Sequence, residues 1–377
     1  MSEAQATDRA PGAPEFVRPG DASQAPLAGV ACCERLPDRE GIGQPLEDEF
    51  PADYLLDGRF LIREPIGRSA MATVYRAEDL SDGGRAVAVK VPLLRAESDP
   101  VTFGRFLREE RIGLILNHPC LLKLIPVAGK KSRPYIVMEL LDGCTLACVL
   151  HLTKPLPEKD ALKIAAVLCG GLKAMHDRGF VHRDIKPANI MICRDRTLRL
   201  MDFGLSSEIS ASRSLIAALT PLFGTPEYMA PEQVMNKKND ERTDVYGLGV
   251  VLYQMLTGQL PYKDEDIWKA AQMRVTGDPV APRRLNPALS PQAEEIVLCA
   301  LRRKPDDRYC DAVRFRTALL APELVEVTGL SEGLQPSRLR ISIQGTPFLA
   351  GALISVSALL AMVGLFLVIS HFAGAGR

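Results

Sequence analysis

The chain has 377 residues, of which 47% are hydrophobic and 24% are charged, enough for one large folded domain or two smaller ones with tails. Basic and acidic residues number 46 each, so the formal charge is zero and no nucleic-acid partner is expected. The nine cysteines form neither a C-x-x-C pair nor a Cys/His ligand set. We therefore expect reduced thiols, with Cys169, Cys193 and Cys299 in the core, and no structural zinc site.

The two ends of the chain differ from its middle in composition. Residues 1–53 lack an apolar run and are rich in Ala, Pro, Gly, Asp and Glu, which predicts a disordered leader without a secretory signal. Near the other end, FLAGALISVSALLAMVGLFLVI (348–369) is about 22 residues long and uncharged, the length of a membrane-spanning helix. A buried core helix is the alternative interpretation of this stretch.

We predict a juxtamembrane linker over 322–346, a transmembrane helix over 347–369 and a short external tail over 370–377. Arg338 and Arg340 precede the helix and Arg377 alone is charged after it, which places the preceding domain in the cytoplasm. Small residues four apart in the span would allow two such helices to pack, so a homodimer is possible.

The first part of the intervening region, 54–321, has the pattern of a β-rich unit. Short runs rich in β-branched residues, bounded by Gly, Asp and Pro, predict strands, and one helical stretch interrupts them near Val101–Leu116. The predicted strands are GRFLIREPIG (58–67), ATVYRAED (72–79), RAVAVKVPL (85–93) and RPYIVMEL (133–140).

After Gly143 the pattern becomes helical. Apolar residues recur at spacings of three and four from Ala161 to Met175, which predicts a helix packed on a core. Further helices are predicted near Thr243–Leu256, Pro291–Leu301 and Cys310–Leu320. The fold class is therefore α+β, with a small β-rich lobe that holds one helix and a larger helical lobe.

The most specific chemistry lies in VHRDIKPANIM (181–191) and MDFG (201–204). Transfer of a phosphoryl group needs a carboxylate that orients the attacking hydroxyl and accepts its proton, and oxygen ligands that hold Mg²⁺ against the phosphates. Asp184 is the candidate for the first role. Asn189 and Asp202 are the candidate metal ligands.

With these residues the chain resembles the eukaryotic-like (Hanks-type) serine/threonine protein kinases, in particular the membrane-anchored bacterial branch. The resemblance covers residues 54–321 and implies the two-lobed protein kinase fold, with ATP and Mg²⁺ as cofactors and proteins as substrates. The further motifs that carry it, in the family's order, are VAVK (87–90), RFLREE (105–110), GTPEYMAPE (224–232), DVYGLG (244–249) and DDRY (306–309).

The resemblance implies roles for individual charged residues. Lys90 would hold the α- and β-phosphates and pair with Glu109, whereas Glu110 would lie on a solvated helix face. Lys186 is typical of kinases that act on serine or threonine, and it would contact the transferred phosphate. Asp184, Lys186 and Asn189 are thus the predicted catalytic residues.

The resemblance also implies a nucleotide pocket. Apolar side chains would enclose the adenine from both sides, while the segment between the lobes would border it and a hairpin would cover the phosphates. The predicted pocket residues are Ile66, Gly67, Ser69, Val74, Ala88, Met138, Glu139, Leu141 and Met191.

A third group of residues is implied to organise the activation segment, which lies between Gly204 and Gly224. Arg183 would meet a phosphate on that segment, Thr225 would lie near Asp184, and Asp244 would steady the catalytic loop. Glu232 and Arg308 would form a buried ion pair. The candidate sites of autophosphorylation are Ser206, Ser207, Ser210, Ser212, Ser214 and Thr220, with Ser214 and Thr220 preferred by position.

The phosphate hairpin departs from the family's G-x-G-x-x-G pattern, because Gly67 is followed by Ser69 and Ala72 in IGRSAMATVYRAED (66–79). If the tip required positive φ, Ser69 would cost on the order of 1–2 kcal/mol and weaken ATP binding roughly tenfold. We therefore expect a membrane-tethered serine/threonine kinase, with a pseudokinase scaffold as the alternative. A kinase for small molecules is disfavoured because GTPEYMAPE resembles a platform for a polypeptide substrate.

Overall fold

The structure is a computed structural model that describes residues 49–208, 226–264 and 266–334. The first 48 residues of the predicted leader, both cysteines of the pair Cys32 and Cys33, and the predicted transmembrane helix at 347–369 lie outside these ranges. No helix within the described ranges is long and apolar enough to cross a membrane.

The first lobe is built on a six-stranded antiparallel sheet in the order β1-β2-β3-β4-β6-β5. Its strands are β1 (Leu55–Leu56), β2 (Phe60–Arg68), β3 (Ala72–Asp79), β4 (Arg85–Pro92), β5 (Leu124–Ile125) and β6 (Ile136–Glu139). One face of the sheet packs on aromatic and aliphatic side chains that include Phe60, Tyr75 and Tyr135. The predicted strands are thus present, and the one at 72–79 has its predicted bounds.

Two helices, α1 (Leu94–Glu97) and α2 (Pro100–Ile115), belong to the same lobe. The Asp99 carboxylate caps α2 by accepting hydrogen bonds from Val101 N and Thr102 N at 3.3 and 3.1 Å, and Pro100 occupies the first turn. Helix α2 lies directly against β5 because Gly113 has no side chain, since a Cβ there would lie 2.5 Å from Leu124 Cδ2. This close contact sets the position of α2 on the sheet, and with it the position of Glu109.

The second lobe is helical. Its helices are α3 (Leu146–Leu152), α4 (Glu158–His176), α5 (Pro231–Val234), α6 (Glu241–Thr257), α7 (Ile267–Thr276), α8 (Pro282–Leu285), α9 (Pro291–Ala300) and α10 (Ala312–Leu320). Helix α6 is buried on nearly all sides, and α4 and α9 pack against it. The predicted helices correspond to α2, α4, α6, α9 and α10, whereas α3, α7 and the short helices α1, α5 and α8 were not predicted.

Two small sheets in the second lobe hold the loops that carry the candidate catalytic residues. Strands β7 (Gly143–Thr145), β9 (Ile190–Cys193) and β10 (Leu198–Leu200) form one, and β8 (Phe180–Val181) pairs with β11 (Ser207–Glu208) in the other. The segment from β8 to β9 contains Asp184 and Asn189, and the segment from β10 to β11 contains Asp202. Anchoring at both ends therefore restrains each segment.

The packed domain extends past both predicted limits. At its start, the Phe50 ring stacks on Tyr54 with centroids 4.5 Å apart, and Phe50 N donates to Tyr75 Oη at 3.0 Å. At its end, Val325 packs on the core and Thr328 N donates to Glu295 Oε1 at 3.0 Å. Residues 49–53, predicted as leader, and 322–334, predicted as linker, thus contact the folded domain.

The cysteines of the described residues are all free thiols. Cys169 and Cys193 are buried as predicted, while Cys299 is only half-buried. Burial raises the pKa of the Cys169 thiol, which keeps it protonated and unreactive.

Candidate active site

Lys90 and Glu109 form an ion pair between β4 and α2. Lys90 Nζ donates to both carboxylate oxygens of Glu109, at 2.7 and 2.6 Å. Burial alone would lower the pKa of the Lys90 ammonium, but the carboxylates of Glu109 and Asp202 outweigh it and raise that pKa. A charged ammonium is thus held between β4 and α2.

The neighbouring glutamate differs from its predicted state. Glu110 accepts a hydrogen bond from Lys131 Nζ, and its side chain is 27% exposed. Lys131 also donates to Tyr135 O at 2.6 Å. Glu110 therefore links α2 to the loop before β6 and is not a freely solvated residue.

Asp184 lies in the catalytic segment between β8 and β9 with two donors on one oxygen. Lys186 Nζ is 2.8 Å from Asp184 Oδ2, and Asn189 Nδ2 donates to the same oxygen at 3.0 Å. Asn189 Nδ2 also donates to Asp184 O at 2.9 Å. The carboxylate is thereby fixed in orientation through Oδ2, and no donor among the described residues contacts Oδ1.

Asp244, at the start of α6, holds the backbone that leads to Asp184. Its carboxylate accepts from His182 N and Arg183 N, each at 2.8 Å, and His176 Nε2 lies 2.8 Å from Oδ2. Burial would raise the pKa of Asp244, but these hydrogen bonds and the histidines outweigh it and lower that pKa. Arg183 has a φ of 71°, an unfavourable conformation that the hydrogen bond to Asp244 offsets.

Asp202 is the second carboxylate of the site. It also has a left-handed backbone, with φ of 66°, and its Oδ1 accepts from Gly204 N at 3.2 Å. Burial would raise the pKa of Asp202, but the Lys90 ammonium outweighs it and lowers that pKa. Asp202 is therefore ionised at neutral pH.

The predicted metal ligands have the chemistry that Mg²⁺ requires. Because Asn189 uses its amide nitrogen on Asp184, its Oδ1 is left as a neutral oxygen donor, and Asp202 supplies an anionic one. No cluster of three or more His, Cys, Asp or Glu side chains suited to a metal occurs in the described part of the chain. Magnesium in phosphate-binding sites takes only one or two carboxylates and completes its shell with water and phosphate oxygens. The residues therefore fit Mg²⁺ bound together with a nucleotide.

The predicted nucleotide pocket lies on several strands. Ala88 in β4 pairs with Met138 in β6, and Val74 in β3 pairs with both Lys90 and Gly67. Ala88 and Met138 are buried in the main core cluster, and Val74 and Leu141 pack against it.

The remaining residues predicted for the pocket differ in exposure and in hydrogen-bond partners. Ile66 is 42% exposed, and Met191 in β9 is half-buried. Glu139 accepts from Lys123 N at 2.9 Å and from Arg199 Nε at 3.1 Å. Its side chain is thus tied to structural partners, and its backbone is the part left to border a ligand.

The phosphate hairpin between β2 and β3 tolerates Ser69 without strain. Ser69 is absent from the described non-glycine residues that have positive φ, so the steric penalty expected at a left-handed tip does not arise. Its Oγ instead accepts from Met71 N at 3.2 Å and Ala72 N at 3.0 Å, and Ser69 N donates to Ala72 O at 2.9 Å. The hydroxyl thus closes the tip by occupying two backbone donors.

Comparison with known proteins assigns this arrangement to a family. Residues 60–319 match the protein kinase domain. The chain is 36% identical over 269 residues to serine/threonine-protein kinase PknB of Mycolicibacterium smegmatis, which covers 70% of this chain and 43% of the relative. It is also 36% identical over 278 residues to serine/threonine-protein kinase Pkn1 of Myxococcus xanthus, covering 73% and 40%. The chain belongs to the bacterial Hanks-type serine/threonine protein kinase family. It spans less than half the length of these two relatives.

The predicted ion pair between Glu232 and Arg308 is present in the kinase. Arg308 Nη1 and Nη2 donate to the two Glu232 carboxylate oxygens at 2.8 and 2.7 Å, and both side chains are at most 4% exposed. The pair ties α5, which follows the activation segment, to the turn before α10. Together with the hydrogen bonds of Asp244, this ion pair holds the second lobe around the catalytic segment.

The activation segment is described only at its ends. Thr225, Ser210, Ser212, Ser214 and Thr220 lie outside the described residues. Ser206 is fully buried and its Oγ donates to His182 O at 3.4 Å, so it is not accessible for phosphorylation. Ser207, in β11, is half-buried.

Sequence reasoning missed Arg274, which positions the segment after the activation segment. Arg274 is fully buried, and its Nη1 and Nη2 donate to Pro226 O at 2.5 Å and Glu227 O at 2.6 Å. The same segment is tied to α6 by Tyr228 Oη, which donates to Gln254 Oε1 at 2.7 Å. No motif signals Arg274, because its partners are backbone oxygens that any residue supplies.

Proposed function

We propose that this kinase transfers the γ-phosphoryl group of MgATP to serine or threonine hydroxyls of proteins, and that it does so at a membrane. The observation that supports the phosphoryl transfer is the orientation of the Asp184 carboxylate. Lys186 and Asn189 both contact one of its oxygens, Oδ2. The other oxygen is available to accept a proton. A hydroxyl placed against it becomes a better nucleophile as it attacks.

The remaining site residues would each bind a different part of MgATP. Lys90, kept charged by its carboxylate neighbours, would bind the α- and β-phosphates, and Lys186 would neutralise charge on the transferred group. Asn189 and Asp202 would hold Mg²⁺, which when bound offsets phosphate charge as a Lewis acid. The residues that line the predicted pocket would hold the adenine through apolar contact.

Transfer of labelled γ-phosphate from MgATP tests this assignment. We expect the full-length chain in detergent to label itself and a generic protein acceptor, and Asp184→Asn and Asp202→Ala to lose at least about 99% of that labelling. Acid hydrolysis of the labelled protein should release phosphoserine or phosphothreonine. Equal labelling by wild type and both variants would contradict the proposal and favour the scaffold alternative.

We further propose that the activation segment is autophosphorylated. Arg183 is half-buried, and its Nε is a buried atom with no hydrogen-bond partner among the described residues. Burial lowers the pKa of Arg183, Asp244 offsets part of this, and Arg108 and Arg105 add repulsion. A phosphate would accept a hydrogen bond from the Arg183 Nε and offset the repulsion from the two other arginines. A phosphopeptide map of the active protein should contain phosphate between residues 207 and 223, and its absence would contradict the proposal.

The membrane part of the proposal depends on the uncharged stretch 348–369, whose length suits one bilayer crossing. We expect full-length protein to remain in the membrane pellet after alkaline carbonate extraction and a chain ending at residue 336 to be released. Crosslinking of the two forms tests the possible homodimer. Release of both forms by carbonate would contradict tethering.

A further inference from the structure

A cavity of ≈ 190 Å³ opens between α3, the catalytic segment and α6. At about 30 Å³ per water it has room for about six waters, or for one polar side chain with some of its hydration. We call it the side pocket. Its lining residues are Ala147, Leu150, His151, Lys154, Pro187, Tyr228, Gln254 and Gly258.

The side pocket lies within reach of a peptide whose acceptor hydroxyl is at Asp184. Pro187 is three residues beyond Asp184, so this wall is no more than about 11 Å from the catalytic residue, the greatest span of three residues. Tyr228 lies in the short helix Pro226–Tyr228 that follows the activation segment. An extended peptide advances about 3.3 Å per residue. With its acceptor hydroxyl at Asp184, it would bring a side chain two to four residues from the acceptor to the pocket.

The side pocket has a basic lining. His151 and Lys154 are its ionisable residues apart from the Tyr228 hydroxyl, and none of the described residues that line it is a carboxylate. Lys154 is held by its stem, since its Cβ, Cγ and Cδ would lie 3.3–3.5 Å from a Cβ placed on Gly258. Lys154 is an exposed residue, so its ammonium adds a solvated positive charge to the lining of the pocket.

Gln254 gives the inner wall a neutral polar group. Its Oε1 is occupied by the Tyr228 hydroxyl at 2.7 Å, so the amide nitrogen is the group left for a ligand, and it can only donate. Donors and cations suit a ligand that accepts hydrogen bonds and carries negative charge. They disfavour a lysine or arginine, which would be placed among like charges.

We propose that the side pocket is a substrate subsite that selects an aspartate or glutamate two to four residues from the phosphorylated serine or threonine and disfavours lysine and arginine there. The proposal rests on the proposed kinase function. It defines the substrate class as acidic segments of proteins, and it makes Lys154 and Gln254 the residues that determine this specificity.

Matched peptides test the selection. Each has one serine acceptor and Ala, Asp or Lys at positions two to four, placed on either side of the acceptor. With the full-length chain we expect kcat/KM for the preferred Asp peptide to exceed that of its Lys counterpart at least about threefold, with Ala between them. The ratio should shrink in 0.5 M salt, because exposed charges are screened.

Charge reversal in the pocket provides the matched variants. Gln254→Glu keeps the shape of the side chain and adds a carboxylate, and Lys154→Glu replaces the cation. Each should abolish or invert the preference for Asp over Lys. Lys159→Glu makes the same charge change on an exposed residue that does not line the pocket, and it should keep the wild-type ratio.

The outcomes separate the two proposals. Turnover of the Ala peptide together with equal turnover of the Asp and Lys peptides would overturn the subsite and leave the kinase function intact. If no peptide is phosphorylated, anisotropy of the same labelled peptides on the full chain with a non-hydrolysable MgATP analogue still tests the subsite. Equal binding of Asp and Lys peptides, or a ratio unchanged in both Gln254→Glu and Lys154→Glu, would overturn it.

Discussion

Ser69 shows, at the scale of a single residue, how a departure from a motif can be accommodated by a different contact. Its hydroxyl accepts from Met71 N and Ala72 N, two of the backbone donors at the tip of the phosphate hairpin. Those donors are the groups with which such loops bind phosphate. We therefore predict that Ser69→Gly frees them and lowers KM for ATP about two- to tenfold, since one hydrogen bond contributes about 0.5–1.5 kcal/mol.

Steady-state kinetics at saturating protein substrate would measure this effect, with kcat expected to stay within about twofold of wild type. Ser69→Ala is the control that removes the hydroxyl and retains Cβ. It should lower KM in the same direction as Ser69→Gly. An unchanged KM in Ser69→Ala would show that the hydroxyl does not limit nucleotide binding.

Asp79 is a second residue whose environment has a measurable consequence. Hydrogen bonds from Arg59 at 2.8 and 2.6 Å lower the pKa of this buried carboxyl to about 2, against an ordinary value of 3.8. A lowered pKa in the folded state stabilises the fold above pH 3.8, and the stabilisation is lost as the pH falls toward 2. The shift corresponds to about 2 kcal/mol.

Urea unfolding of wild type and Asp79→Asn between pH 7 and pH 2.5 tests this prediction. The variant should be less stable by about 2 kcal/mol at pH 7, and the difference should shrink below pH 4. Asp82→Asn, which removes an exposed carboxylate 3.6 Å from Arg85, should cost well under 1 kcal/mol. A difference between wild type and Asp79→Asn that stays constant with pH would contradict the prediction.

At the scale of elements, the segment before β1 links the two strands of the hairpin that is predicted to cover the nucleotide. Glu49 accepts from Arg68 Nε at 2.5 Å and Nη2 at 2.6 Å, and from Thr73 Oγ1 at 3.2 Å. Arg68 is in β2 and Thr73 is in β3, so one carboxylate bridges both strands of the hairpin. We predict that Glu49→Gln raises KM for ATP severalfold and lowers stability by about 1–2 kcal/mol, because a charge-assisted pair is lost.

Kinetics and thermal unfolding of the same preparations would measure both quantities. Asp53→Asn is the matched control, because Asp53 forms a comparable pair with Arg63 at 2.5 Å but its side chain is 69% exposed. It should behave as wild type within error. If Asp53→Asn changed KM and stability as much as Glu49→Gln, the bridge between the hairpin strands would not depend specifically on Glu49.

The elements also show what local sequence could predict. The β3 bounds and the long helices α4 and α6 follow from clear periodicity or long apolar stretches. Helix α3 was missed because LACVLHL is short and apolar on several sides, a pattern that suits a strand as well. The contacts of residues 49–53 with the folded domain were missed because a Pro- and Glu-rich segment predicts disorder. Only tertiary partners such as Arg68 and Tyr75 order this segment.

At the scale of the whole molecule, the site combines residues from β4, α2, the catalytic segment and the segment after β10. Periodicity alone predicts none of this convergence, and the motif order predicted it through the family resemblance. The ion pairs of Glu109 and Glu232 were predicted in this way. Arg274 and the side pocket were not, because they depend on backbone oxygens and on a cavity lined by residues of both α3 and α6.

Because Lys90 and Asp202 come from different lobes and lie close enough for each to shift the other's pKa, nucleotide binding should stabilise the domain as a unit. A non-hydrolysable ATP analogue with Mg²⁺ at about 100 times its Kd should add about 2.7 kcal/mol to the unfolding free energy. For a domain of this size that is a rise in Tm of about 5–10 °C. Thermal unfolding with and without the analogue measures the rise.

The rise in Tm should depend on both charged groups. EDTA or Asp202→Asn should reduce it to less than about 2 °C, because two or more powers of ten in affinity would remove most of the mass-action term. Lys90→Met should also reduce the rise in Tm to less than about 2 °C, although it leaves the predicted Mg²⁺ ligands in place. The Asp184→Asn variant is the control, because we propose that Asp184 acts on the acceptor hydroxyl, so this variant should retain the full rise. A rise that survives in Asp202→Asn and in EDTA would mean that the nucleotide binds without the metal ligands assigned to this site.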